Sequence, residues 1–304
     1  EMGLLVPQDW HPAQWIARNL DKSDPLAPML RREFALKKAV KRARLYVCGL
    51  GYYELHLNGR KVGDHLLDPA YTDYSKRVLY VTYDVTSQLR SGTNVLGVIL
   101  GNGWYNMQTD VGWGFQNASW RNSPRVLLKL EVEFADGSRT DLVSDTSWQC
   151  STGPIVYDNI YGGETYDARL EKSGWDQAGY DTSQWKPAII VSAPKGRLVA
   201  QTMPPIKAFE ELKPVVLTEP KPGVWMFKFG QNLAGFAQLR VRGPAGTKIV
   251  LKYGEELGTN GLLDVKDISA YHTLNGPGQQ FQTDAYILKG QGEETWHSHF
   301  DYDG

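Results

Sequence analysis

The chain of 304 residues is long enough for two domains and buries a core without staples. Its 33 Lys and Arg against 34 Asp and Glu leave a net charge of -1, too balanced to steer a polyanion, so nucleic acid is excluded as an expected partner. Two cysteines, Cys48 and Cys150, make neither a disulfide framework nor a metal-ligand spacing, and no apolar run is long enough to span a membrane. The first residues, Glu1-Met-Gly-Leu-Leu5, lack a basic segment followed by an apolar one. Localisation stays open: periplasmic or secreted if a signal was removed, otherwise cytoplasmic.

In chain order, period-two alternation dominates and helical spacing is scarce. Residues 1–27 form a lead-in. Asn58-Gly59 predicts a tight turn between strands Tyr53–Leu57 and Lys61-Val62, because both positions tolerate positive φ. Val95-Leu-Gly-Val-Ile-Leu100 is a short unbroken apolar run and reads as a strand buried on both faces. In Arg125–Phe134, Leu128, Leu130, Val132 and Phe134 point one way and Lys129, Glu131 and Glu133 the other. An Asp136-Gly137 turn follows, with Arg139–Val143 as partner strand. Asp145-Thr-Ser-Trp148 and Asp181-Thr-Ser-Gln-Trp185 echo each other, each predicting an Asp/Ser turn anchored by a buried Trp.

Prolines punctuate residues 193–222, which disfavours central strands there and places a junction near 205–212. Beyond it, Trp225–Phe229, Gly235–Arg242, Thr247–Tyr253, Phe281–Leu288 and Thr295–Tyr302 read as further antiparallel strands. A polar loop over 258–279 interrupts them. The expected fold is therefore all-β. A β-sandwich over 28–156 is followed by an irregular connecting region over 157–207 and a second antiparallel sandwich over 208–304.

Several motifs along this pattern resemble one family. In the first sandwich they are Gly49-Leu-Gly-Tyr-Tyr-Glu54, Leu57-Asn-Gly59, Val62-Gly-Asp64, Leu67-Asp-Pro-Ala-Tyr-Thr-Asp-Tyr74, Tyr83-Asp-Val-Thr86 and Leu100-Gly-Asn-Gly-Trp-Tyr105. Asp158–Arg169, Gln201–Ile206, Phe229–Gly235, Tyr253-Gly-Glu255 and Trp296–Gly304 continue the likeness. Together they resemble the N-terminal modules of bacterial α-L-rhamnosidases, glycoside hydrolase family 78: a jelly-roll (galactose-binding-like) sandwich followed by a concanavalin-like one.

The resemblance implies an enzyme that removes terminal L-rhamnose with inversion. An acid and a base about 6.5–9.5 Å apart would leave room for the attacking water. In that family the two carboxyl groups lie in a downstream helical (α/α)6 barrel, and no helix-rich region of that size is present here. No catalytic residue is therefore assigned. The expected function is that of a non-catalytic front region, with the downstream catalytic domain of the same polypeptide and a rhamnose-containing glycan as partners. A stand-alone, lectin-like carbohydrate-binding protein is the alternative.

Twelve per cent of the residues are aromatic, including 10 Trp and 16 Tyr, which suits sugars that present C–H faces beside hydroxyls. The candidate carbohydrate contacts are Asn102, Trp104, Tyr105 and Trp113, with Trp120 downstream. The same residues suit a packing role in which Trp104 plugs the end of the sandwich, and that is the preferred reading. Some family members carry a calcium-containing, rhamnose-binding version of the module, with acidic or amide side chains after the Thr-Asp-Tyr element. Here Ser75-Lys76-Arg77 stands at that place, and a lysine repels a cation, so neither metal nor cofactor is expected.

Glu164, Asp167 and Arg169 are read as a structural ion pair. His297 and His299 share a strand face without an evident third zinc ligand, and Glu255 and Glu256 point to opposite faces.

Overall fold

The structure, a computed structural model, describes residues 3–19, 23–108, 114–266 and 281–304. The first sandwich faces one sheet against another. One sheet runs Ile189–Ile190, Ile16–Ala17, Arg125–Phe134, Val40–Leu50, Arg77–Asp84 and Arg197–Ala200, with Arg139–Val143 also paired to Arg125–Phe134. The other runs Lys186–Pro187, Gln149–Thr152, Pro28–Leu36, Gly92–Gly101, Tyr52–Leu57 and Arg60–Lys61. Pairing is antiparallel except where Arg197–Ala200 lies parallel to Arg77–Asp84.

Alternation explains the core. Leu128, Leu130, Val132 and Phe134 meet Leu96, Val98, Leu100 and Leu55 between the sheets. The opposite faces are covered as well. Leu4, Trp10 and Trp15 of the lead-in pack on Tyr46, Cys48 and Tyr80, with the Trp10 and Tyr80 rings edge to face at 5.2 Å. On the other side, Ile155, Trp175, Trp185 and Phe300 cover Met29, Tyr52 and Ile99. Strand Gly92–Gly101 is therefore buried on both faces from Asn94 onward, as its unbroken apolar run requires. Gly97 admits the Trp175 ring: a Cβ there would lie 2.6 Å from it.

The turns follow their sequence signals. Asn58 (φ 54°) and Gly59 (φ 82°) close the hairpin of Tyr52–Leu57 with Arg60–Lys61, and Gly137 (φ 82°) closes that of Arg125–Phe134 with Arg139–Val143. The two Asp/Ser turns both form. Ser147 N donates to Asp145 Oδ1 at 2.8 Å, and Ser183 N donates to Asp181 Oδ1 at 2.8 Å. Both anchoring tryptophans, Trp148 and Trp185, are buried. The strands they introduce pair with each other, Cys150 opposite Lys186. The echo is thus two matched entries into one sheet edge. Cys48 and Cys150 are both free and buried, in separate clusters.

Residues 157–207 carry strands of both units. Lys186–Pro187, Ile189–Ile190 and Arg197–Ala200 join edges of the first sandwich. Gly163–Asp167 pairs with Ile155–Asn159 and, in parallel, with Thr283–Ile287, which pairs in turn with Lys248–Lys252. This sheet, the pair Leu239–Arg242 with Glu293–Trp296, and the hairpin Val216–Lys221 with Val224–Lys228 build the second β unit. Its core holds Ala168, Tyr286, Leu288 and Trp296, with Ile249 and Leu251 against them and Lys248 and Lys252 exposed. The hairpin leaves its apolar side chains uncovered: Leu217 and Trp225 are 54% and 56% exposed. Among the described residues no helix is long and apolar enough to cross a membrane.

Candidate functional site

The loop after Gly92–Gly101 returns tightly. Gly103 takes φ 47°, and a Cβ there would meet the Tyr52 ring at 2.9 Å, so this close turn needs glycine. The turn sends Asn102 and Tyr105 inward. Asn102 Nδ2 donates to Asp158 Oδ2 at 3.0 Å, and its backbone N donates to Asp158 Oδ1 at 2.6 Å. Its own Oδ1 accepts from Asn106 and Gln108. The amide is 4% exposed and spends its hydrogen bonds within the protein. Burial pushes the Asp158 carboxyl up to about 8 despite the Asn102 donors. Tyr105 is buried edge-on against Tyr74 at 5.3 Å, beneath the Arg125 guanidinium at 5.6 Å.

Trp104 is half-buried. Its ring contacts Tyr71, Phe115 and Tyr161 at centroid distances of 5.3, 5.5 and 5.3 Å. Trp120 packs at the back of this group on Tyr74 and Phe115. Trp113 lies outside the described residues. Tyr71 is 42% exposed and presents the open face of the shelf. Such a shelf can stack the C–H face of a ring whose hydroxyls remain in water. Tyr71 lies in the Leu67–Tyr74 motif, but nothing in the sequence tells which of its aromatics faces outward. The Asp73 carboxylate beside it is taken up by Ser75 N at 3.0 Å and by Lys76.

A second concave region, a cleft of about 280 Å³, lies where the first sandwich meets the strands of the second unit. Glu54, His56 and Asp176 line it beside Trp175, Tyr166 and His299. Glu54 and His56 sit two apart on Tyr52–Leu57, so both leave the core face that takes Leu55 and Leu57. His56 bridges two carboxylates, Nε2 to Glu54 at 2.9 Å and Nδ1 to Asp176 at 2.8 Å, and Lys61 closes on Glu54 at 2.6 Å. Burial pulls the imidazole down, but hydrogen bonds and charge from Asp176 and Glu54 outweigh it and push it up to about 9. Burial also opposes ionisation of Glu54, yet His56, His299 and Lys61 hold it well below the usual carboxylate range. The outward pair Glu54 and His56 is readable from alternation; Asp176, 120 positions away from His56, is not.

Of the remaining titratable groups, Arg169 forks onto Asp167 at 2.9 and 2.7 Å, an ion pair. Glu164 is not part of it. It is buried and accepts from His299 N at 3.0 Å, with His299 Nδ1 at 2.8 Å. His299 stacks on Tyr166 and lies 5.5 Å from the His297 ring, while His297 Nδ1 bonds Ser298 O. The carboxylates of the cleft are thus each held by a cation or an imidazole.

The comparisons with known proteins agree along the whole chain. The model of the α-L-rhamnosidase N-terminal domain matches residues 38–210, and that of the bacterial α-L-rhamnosidase concanavalin-like domain matches residues 218–304. An α-L-rhamnosidase of Formosa agariphila is 40% identical across all of this chain, which covers 34% of that protein. The crystal structure of the Aspergillus terreus α-L-rhamnosidase superposes with a TM-score of 0.91 at 35% identity, over 100% of this chain and 34% of that one. The Streptomyces avermitilis α-L-rhamnosidase complexed with L-rhamnose superposes with a TM-score of 0.84 at 41% identity, over 92% and 26%. The chain therefore spans about a third of the length of the curated relatives it matches. With both family models in register on the two β units, the chain belongs to the α-L-rhamnosidase family and corresponds to the N-terminal region of its members.

Proposed function

We propose that the polypeptide containing this region hydrolyses terminal α-L-rhamnose with inversion, and that these 304 residues support its catalytic part without breaking the bond themselves. The observation that carries this reading is the match of the whole chain to only about a third of each rhamnosidase. Two features of the structure support it. The carboxylates of the cleft, Glu54, Asp176 and Glu171, are engaged by Lys61, His56 and Lys289, and a paired acid and base must be free to exchange protons. The Val216–Lys228 hairpin exposes Leu217, Trp225 and Phe227, an apolar surface that the remainder of the polypeptide would cover.

The test compares this chain with a polypeptide extended to the full length of its relatives, on an aryl α-L-rhamnoside. The extended protein releases the aglycone and this chain does not. Hydrolysis by this chain alone would sink the assignment.

Contact with sugar belongs to the same proposal and falls on the Tyr71–Trp104 shelf. Calorimetric titration with L-rhamnose should give saturable heat that Trp104→Ala removes. Asn102 and Tyr105 then act by holding the loop, since both are buried. Heat that survives Trp104→Ala would place the sugar elsewhere.

A further inference from the structure

Behind the cleft, Asp284, Asp301 and Asp303 bring carboxylate oxygens within 4.8 Å of one another, and all three are buried. Asp284 belongs to strand Thr283–Ile287. Asp301 and Asp303 are two apart on the segment after Glu293–Trp296, and their carboxylates converge on that of Asp284. Asp303 is fixed by its backbone, donating to Gly235 O at 2.7 Å and accepting from Gly235 N at 2.9 Å. Asp284 is fixed by its side chain, Oδ1 accepting from Glu164 N and Oδ2 from the Tyr253 hydroxyl, both at 2.7 Å.

Asp301 and Asp303 are 2% and 3% exposed, and among the described residues no donor of normal geometry meets their four carboxyl oxygens; the side chains of Ser298 and Asp284 reach toward Asp301. The Tyr157 hydroxyl, which feels Asp301, is also buried without a partner among the described residues, and the Ser298 hydroxyl faces Asp301. The charges acting most strongly on the three aspartates are acidic: one another and Glu164. Glu164 has its own counter-charge in His299. Burial and then their acidic neighbours push all three carboxyls up, Asp303 to about 8, because ionised carboxylates buried without a cation are among the costliest arrangements a fold can hold. Here two stand together beside a third, with fixed backbones and open lone pairs.

We propose that this cluster binds a hard divalent cation, calcium by preference, which ties strand Thr283–Ile287 to the segment 298–304. Among the described residues the donors are oxygen alone, with neither imidazole nor thiolate in the set, which selects calcium, magnesium or manganese over zinc or copper. Calcium takes about six to eight oxygens in flexible geometry, and three carboxylates with neighbouring hydroxyls supply that count. Magnesium keeps several of its waters, which a site closed to solvent does not admit. The ion would neutralise the cluster and join the sheet of strand Thr283–Ile287 to the segment that carries Phe300 onto the first sandwich.

The test uses this chain stripped with EDTA and desalted. Calorimetric titration with calcium chloride should show a single saturable site. Millimolar calcium should raise the melting temperature by about 5 °C if the site is near saturation, with magnesium at least about tenfold weaker. The double variant Asp301→Asn, Asp303→Asn should lose both effects. Above about pH 8, where Asp303 ionises, it should also melt no lower than the stripped wild type, because the same substitutions remove the repulsion. Each single variant, Asp301→Asn or Asp303→Asn, should weaken calcium at least about tenfold, which keeps the test open if the double variant does not fold. No heat and no melting shift in the wild type would overturn the proposal, as would a calcium response that survives the substitutions.

Discussion

Replacing His56 with glutamine isolates the link between strand Tyr52–Leu57 and the loop that carries Asp176. The imidazole is held between Glu54 and Asp176 with its side chain 17% exposed, so its charge is poorly screened. Its folded value of about 9 lies above the usual 6.5 because the two carboxylates outweigh burial. A group raised on folding adds stability that is complete below about pH 6.5 and vanishes as pH climbs through about 9. At about 1.36 kcal/mol per pH unit, the difference amounts to about 3 kcal/mol.

The assay is urea unfolding followed by tryptophan fluorescence, because urea leaves charges unscreened where guanidinium would not. At about pH 6 the His56→Gln variant should be less stable than wild type by about 3 kcal/mol; above pH 9 the two should converge to within about 1 kcal/mol. Asp158, pushed up to about 8 by burial, also loses stability as pH rises in this window. The wild-type curve alone therefore decides nothing, and the difference between the two proteins is the quantity to read. A gap that stays constant from about pH 6 to 9.5 would refute the reasoning, since it would mean that His56 packs without carrying charge.

Three further outcomes follow from burial. Trp148 is fully buried with Nε1 donating to Val143 O at 2.9 Å, so Trp148→Ala should cost about 3–5 kcal/mol in the same unfolding assay. Gly97→Ala drives a methyl into the Trp175 ring and should cost about 1–3 kcal/mol, with a changed near-ultraviolet circular dichroism signal as the indole moves. Cys48 and Cys150 are buried and their thiols pushed up, Cys150 to about 12. Neither should react with an aromatic disulfide reagent in the native chain, and both should react after unfolding.

The sequence alone determined what local rules govern. Alternation at Leu128–Phe134 set which side chains enter the core, and the Asn58-Gly59 and Asp136-Gly137 pairs set two hairpins through positive φ. The apolar run Val95–Leu100 announced a strand covered on both sides, and the spread of motifs along the chain announced the family. Residues 157–207 look irregular in sequence because their strands are short and take their hydrogen bonds from distant partners, Arg197–Ala200 from Arg77–Asp84 and Gly163–Asp167 from Thr283–Ile287.

Tertiary structure alone decided the rest. Asn102 carries the amide that a sugar site wants, but the turn at Gly103 buries it on Asp158 and leaves Tyr71 facing outward. Glu164, grouped by sequence with Arg169, answers to His299 instead. His56 finds Asp176, and Asp284 finds Asp301 and Asp303, only once segments remote in sequence have packed within each unit. A strand's own pattern fixes which face a side chain takes, whereas the charge it meets there comes from another part of the chain. Pairing between remote carboxylates, imidazoles and rings is therefore a property of the assembled layers.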